Sequence, residues 1–293
     1  MDFKLFTNEI VEMLQEKLGT ECTVTVTEVL KNNNISLTGI VVMKESDNVA
    51  PTIYLEEPYR QYQDGSTLQE IVDEIATLYE KQTHNVKVDM DFFRDFSMVK
   101  DRIYHKVINY DKNRKLLEDI PYFRWHDLAI IFYYAMEEAA FGRASIMLHN
   151  SHLDMWGRSA EEVYCVAKEN MRQSMPELLM PMQKLLEDVA GIKAGERDLP
   201  LYVLTNKSRM FGASAMLYSN KIGELATKLN SNLLILPSSV HEVLLLPDDQ
   251  VQEYDFYKEM VREVNTTQVD PEEILSFNLY RYEREKEEIE EII

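Results

Sequence analysis

Apolar residues Phe3, Phe6, Ile10, Leu14 and Leu18 recur at three- and four-residue intervals. That spacing predicts an amphipathic helix over residues 2–18, closed by Gly19. The period then changes. Cys22, Val24 and Val26 alternate with Thr23, Thr25 and Thr27, the two-residue repeat of a strand. Lys31-Asn32-Asn33-Asn34 turns the chain and 35–44 returns, so the pair predicts a hairpin. Residues 51–55 predict a third strand. Ser66 and Gln69 have the spacing of a capping box, opening a helix with the stripe Leu68, Ile71, Ile75 and Tyr79. The N-terminal order is α-β-β-β-α.

Further along, a short helix from Ser97 and a strand over 103–108 are followed by a charged stretch, 111–121, poor in apolar residues. It is the candidate domain boundary, giving units 1–115 and 120–293, with one continuous domain as the alternative. Apolar runs at 128–136 and 144–148, joined around Gly142, predict a second hairpin. Ser159 and Glu162 form another capping box, with a helix to about Gln173. Pro176 suits the first turn of a helix that fades near Gly191. A strand over 201–204, a helix from Asn220 to Leu229, and strands over 233–236 and 240–246 follow. A helix over 255–264 shows the stripe Phe256, Met260 and Val264. Asp270-Pro271 has the form of a helix start. The charged tail 283–293 reads as a solvated helical end or a frayed terminus. Local hairpins with few βαβ crossovers predict an α+β fold, with antiparallel sheets carrying helices on one face.

Composition narrows the function. The chain has 293 residues, is 45% hydrophobic and carries a net charge of −20. It can bury a core, and its negative potential disfavours nucleic acid or an anionic membrane as a partner. The one small basic cluster, Lys112-Asn113-Arg114-Lys115, has acidic neighbours. The N-terminus has no secretory h-region, and the run 128–136 is too short to span a bilayer as a helix. Cys22 and Cys165 make neither a disulfide framework nor a zinc site. The expectation is a cytoplasmic protein with reduced thiols. The nine glycines form no GxxxxGK or GxGxxG loop, and no HExxH or EF-hand pattern occurs, so no cofactor is expected.

Three stretches carry candidate chemistry. In ILPSSVHEVLLLP, 235–247, Ser239 and His241 would share one strand face while Glu242 points to the other. Catalysis by Ser239 and His241 would then need a second carboxylate, and no GxSxG elbow exposes the serine. A turn built on Pro237-Ser238-Ser239 is the simpler reading. A ligand-contacting loop with Ser238, Ser239, His241 and Glu242 lies between the two. His149 and His152, three apart, with Asp154, have the residue types of a metal site but lack a further strong ligand, so no metal is expected. The loop 206–212, TNKSRMFG with its preceding Thr205, makes Asn206 a binding candidate.

The segments YVLTN at 202–206, GAS at 212–214, ILPSSVHEVLLLP and EVNTTQVDPEEILS at 263–276 resemble an uncharacterised family of clostridial, mostly gut-dwelling, bacteria. TIYLEEPYRQYQDG at 52–65 and VKDRIYHKVIN at 99–109 fit it too. The resemblance covers nearly the whole chain. It implies a bacterial cytoplasmic protein and transfers no functional residue. The α-β-β-β-α order is similar to that of secretion-chaperone-like domains, which bind extended partner segments, an analogy of fold alone. The expected function is a protein-binding or regulatory module without catalytic activity. The alternatives are a hydrolase using Ser239 and His241, or an acidic nucleic-acid mimic.

Overall fold

A computed structural model describes the chain except residues 45–49, 51, 83–90, 137–144, 191–199, 251–252 and 293. It divides into two compact units, Met1–Phe93 and Arg94–Ala135 with Ser145–Ile293.

The first unit holds α1 (Phe3–Leu18), β1 (Cys22–Leu30), β2 (Ser36–Lys44), β3 (Thr52–Tyr54), α2 (Glu56–Gln63) and α3 (Leu68–Gln82). β1, β2 and β3 form an antiparallel sheet in that order. Phe6, Ile10 and Leu14 of α1 meet Val24, Ile40 and Val42 of the sheet and Ile71, Ile75 and Tyr79 of α3. Each such burial stabilises by roughly 2 kcal/mol. The Gln15 side chain binds the outer edge of β1, donating to the Cys22 carbonyl at 2.8 Å and accepting from the Val24 N–H at 3.0 Å.

Two local readings change in this unit. Helix α2 is additional: Glu56 and Glu57 suit its positive N-terminal end, and Pro58 falls in the first turn, where no N–H is needed. The capping box of α3 lies one residue later than Ser66 and Gln69. The Thr67 N–H donates to Glu70 Oε2 at 2.8 Å, and the Glu70 N–H donates to Thr67 Oγ1 at 3.3 Å. Thr67→Ala is therefore expected to cost about 1 kcal/mol in urea unfolding. Ser66→Ala should stay within about 0.5 kcal/mol. Equal costs would contradict the assignment.

The second unit holds α4 (Phe96–Val99), β4 (Ile103–Asn109), β5 (Tyr122–Trp125), β6 (Leu128–Ala135), β7 (Ser145–Met147), α5 (Asn150–Trp156), α6 (Ala160–Ser174), β8 (Glu177–Pro181), α7 (Met182–Ala190), β9 (Tyr202–Asn206), α8 (Ser219–Leu229), β10 (Leu233–Pro237), β11 (Val243–Pro247), α9 (Tyr254–Thr267), β12 (Leu279–Glu283) and β13 (Glu288–Ile292). β6 pairs with β4 and also with β5 and then β7, all antiparallel. A second sheet runs β13-β12-β10-β11-β9-β8, again antiparallel. The fold is α+β. Leu233, Ile235 and Leu245 meet Ile222 and Leu225 of α8 together with Leu128 and Ile130 of β6. Leu234, Leu236 and Leu246, on the opposite face, meet Tyr257 and Val261 of α9. This sheet therefore carries helices on both faces and not on one.

The unit boundary falls before Arg94 and not within 111–121. β4 is tied to β6 along its length, and Asn113, Leu116, Leu117 and Ile120 are buried despite the charges around them. After Pro176 the chain forms strand β8 before α7, because 177–181 pairs with β9 as a sheet edge. Asp270-Pro271 opens a turn, closed by the Glu273 N–H to the Asp270 carbonyl, and no helix. The charged tail is the hairpin β12–β13: Arg281 pairs with Asp248 at 2.7 Å, and Tyr280 and Tyr282 are buried. On α9 the buried stripe is Tyr257, Val261 and Asn265, one residue beyond the expected one, leaving Phe256 63% exposed.

Candidate functional site

The candidate residues of 235–247 and Asn206 come together because β11 lies between β10 and β9. Residues 238–242 are the hairpin turn joining β10 to β11, whose last pair is Pro237 with Val243. Ser239 is buried. Its hydroxyl accepts the His241 backbone N–H at 3.0 Å, and its N–H donates to the Glu242 carbonyl at 3.2 Å. Ser238 and Glu242 are half-buried. The His241 carbonyl accepts from Thr205 Oγ1 at 2.8 Å, fastening the turn to β9.

Both imidazole nitrogens of His241 have partners. Nδ1 accepts the Phe211 N–H at 3.1 Å. The neutral ring therefore carries its proton on Nε2, which lies 3.3 Å from Glu273 Oε1. Glu273 is the second carboxylate that the sequence did not single out. Ser239 Oγ is bonded to the main chain, so the serine–imidazole hydrogen bond of a nucleophilic triad is not formed in this geometry.

Phe211 belongs to a strained loop. Arg209 and Phe211 have φ of 55° and 54°, unusual for residues with bulky side chains. Strain of this kind costs on the order of 1–3 kcal/mol per residue and gathers at functional sites. Asn206 holds the loop, donating from Nδ2 to the Met210 carbonyl at 2.9 Å and accepting from Ser208 Oγ at 2.8 Å. The Phe211 ring stacks on His241 at 5.6 Å between centroids, and Lys106 Nζ lies 4.0 Å from the ring centre.

His149 and His152 lie at the start of α5. His149 Nδ1 is 2.7 Å from Asp119 Oδ2, and the His149 N–H donates to His152 Nδ1 at 3.1 Å. Burial, then the nearby His149, lowers the pKa of His152. Asp154 is exposed. Among the described residues, no three His, Cys, Asp or Glu side chains gather as metal ligands would.

Two concave places in the second unit had no sequence signal, since each is assembled from distant segments. The first is an open groove of about 590 Å³ between α4 and the α5–α6 region. Phe96, Met155, Trp156 and Val166 give it apolar surface. The Phe96 and Trp156 rings lie 5.6 Å apart, and Arg158 covers Phe96 at 5.1 Å. Asn170 of α6 donates to the Lys100 and Ile103 carbonyls at 2.7 and 2.8 Å, fixing the α4 wall. The Asp95 carboxylate is already used by the Ser97 N–H and hydroxyl, which hold its pKa low. Met155 and neighbouring Met98 are 44% and 64% exposed.

The second is a cleft of about 260 Å³ lined by the end of α6, the start of β8 and the first turns of α8. Tyr218 lines it and is hydrogen-bonded to Nε2 of the fully buried His105. Burial, with the Lys168 charge adding, pushes the His105 imidazole down to about 3, and among the described residues Nδ1 has no hydrogen-bond partner. Burial raises the Tyr218 phenol. Glu177 Oε2 accepts the Lys221 N–H at 3.2 Å and so caps α8, yet burial still raises its carboxyl.

Residues 3–284 match the sequence profile of the Family of unknown function (DUF5688). The chain belongs to this family. The match bears out the resemblance to an uncharacterised family and spans both units. Neither the curated proteins nor the solved structures gave a match. Among the described residues no helix is long and apolar enough to cross a membrane.

Proposed function

We propose that this chain is a protein-binding module, without catalytic activity of its own, whose groove at Phe96, Met155 and Trp156 takes a segment of another protein. The carrying observation is the groove's chemistry. Phe96, Trp156, Met155 and Val166 give it an aromatic and aliphatic surface, which suits an apolar anchor residue. Its lining bears Arg94, Lys100 and Arg158 against Asp95 and Glu162, with Arg158 paired to Glu162 at 3.2 Å, so one positive charge is left over although the chain as a whole is at −20. Charge complementarity then favours acidic residues flanking the anchor. We read the protein as bacterial and cytoplasmic. The clostridial resemblance supports the first, and the free thiols of Cys22 and Cys165 agree with the second.

Selection from a displayed peptide library tests this reading. Peptides with an apolar residue beside Asp or Glu should be enriched, and Lys100→Glu with Met155→Asp should weaken them at least about tenfold. No enriched class, or binding indifferent to that double variant, would overturn it. One contact favours the runner-up, hydrolysis by Ser239 and His241: Glu273 stands where an orienting acid is needed. Ester or peptide turnover abolished by His241→Ala in a folded variant would promote that reading and displace the first.

A further inference from the structure

The cleft at Tyr218 differs from the groove in kind, and nothing in the binding-module reading uses it. Its volume, about 260 Å³, lies just below the range for drug-sized ligands and equals on the order of nine waters at ~30 Å³ each. That is the bulk of a single small metabolite. Its walls carry both signs of charge, unspent on each other. The Arg172 guanidinium makes no ion pair among the described residues. Among the described residues Glu177 uses only Oε2, on the Lys221 N–H, and Oε1 has no donor. The two residues do not pair, yet both bear on the ionisation of Tyr218, in opposite senses. The other charges present cancel: Lys221 Nζ and Glu224 Oε2 are 2.8 Å apart. Met171, Met175 and Pro176 supply an adaptable apolar wall.

A carboxylate half-removed from water, with the Lys221 ammonium acting on it but already paired to Glu224, is still costly, and a ligand ammonium would relieve it. A guanidinium without an anion is a ready bidentate partner for a ligand carboxylate. We propose that this cleft binds a free α-amino acid with an apolar side chain, its carboxylate on Arg172, its ammonium on Glu177 and its side chain against the methionines. Tyr218, whose hydroxyl is held by His105, lines the same cleft.

Isothermal titration of the full chain with L-leucine and L-methionine tests this, with N-acetyl-leucine and leucinamide as probes lacking one charge each. The free amino acids should bind, and each one-charge analogue should bind at least about tenfold more weakly. Arg172→Gln should remove the preference for leucine over leucinamide. Glu177→Gln, which keeps an oxygen for the Lys221 N–H, should remove the preference for leucine over N-acetyl-leucine. Lys100→Glu with Met155→Asp should leave leucine binding unchanged, which separates this site from the groove. No heat with either amino acid at about 10 mM, affinity indifferent to the acetyl or amide cap, or affinity unchanged in Arg172→Gln would each overturn the proposal.

Discussion

Gly212→Ala is expected to destabilise the second unit by about 3 kcal/mol, measured as a lower urea midpoint. A Cβ at this position would lie 2.1 Å from Thr205 Oγ1, 2.6 Å from the His241 carbonyl oxygen and 2.7 Å from the Asn206 N. Two of these are main-chain atoms of the turn and of β9, which cannot rotate away. The glycine is required for close approach: it lets the strained loop press against the seam where Thr205 fastens His241. The variant should also lose the Phe211–His241 stacking, visible as altered imidazole resonances. A stability within about 0.5 kcal/mol of the parent would show that the loop gives way freely and that the seam is not fixed.

The second large effect concerns acid. His105 has its pKa pushed down to about 3 in the folded protein, against an ordinary 6.5. The unfolded chain therefore binds more protons than the folded one between those values, and stability falls as pH falls through that window. Above the unfolded value the contribution is complete. At about 1.4 kcal/mol per pH unit, going from pH 7.5 to pH 4.5 should remove about 3 kcal/mol through this group alone. Carboxylates titrate in the same range, so the comparison is with His105→Gln, whose stability should decline by that much less. Parallel pH dependences in the two proteins would show that His105 does not carry the effect.

Much of the fold was legible where order is local. α1, the β1–β2 hairpin, α6 with its Ser159–Glu162 box and the β10–β11 hairpin all follow from side-chain period and turn residues a few positions apart. Readings failed where partners distant in the chain decide. Pro176 has the form of a helix start, but β9, some thirty residues on, draws 177–181 into a sheet. The acidic tail looks solvated until Asp248 takes Arg281. The candidate site divides the same way. Asn206, Ser239 and His241 could be singled out, since turn and loop chemistry is visible in sequence. Phe211 could not, because nothing about phenylalanine announces a positive φ. Glu273 looked like part of a helix start, and Arg172, Glu177 and Tyr218 meet only through the β8–β9 pairing and the cap on α8.

The setting of β6 has a consequence for the unfolded chain. Its segment LAIIFYYA holds no charge and no proline, and all but its last residue are buried, with sheet partners on both edges. Such a stretch is the kind that nucleates cross-β aggregates once released. β4, β5 and β7 thus act as a quarantine as well as a scaffold. Acid that empties the native state therefore also liberates the segment most able to make the loss irreversible.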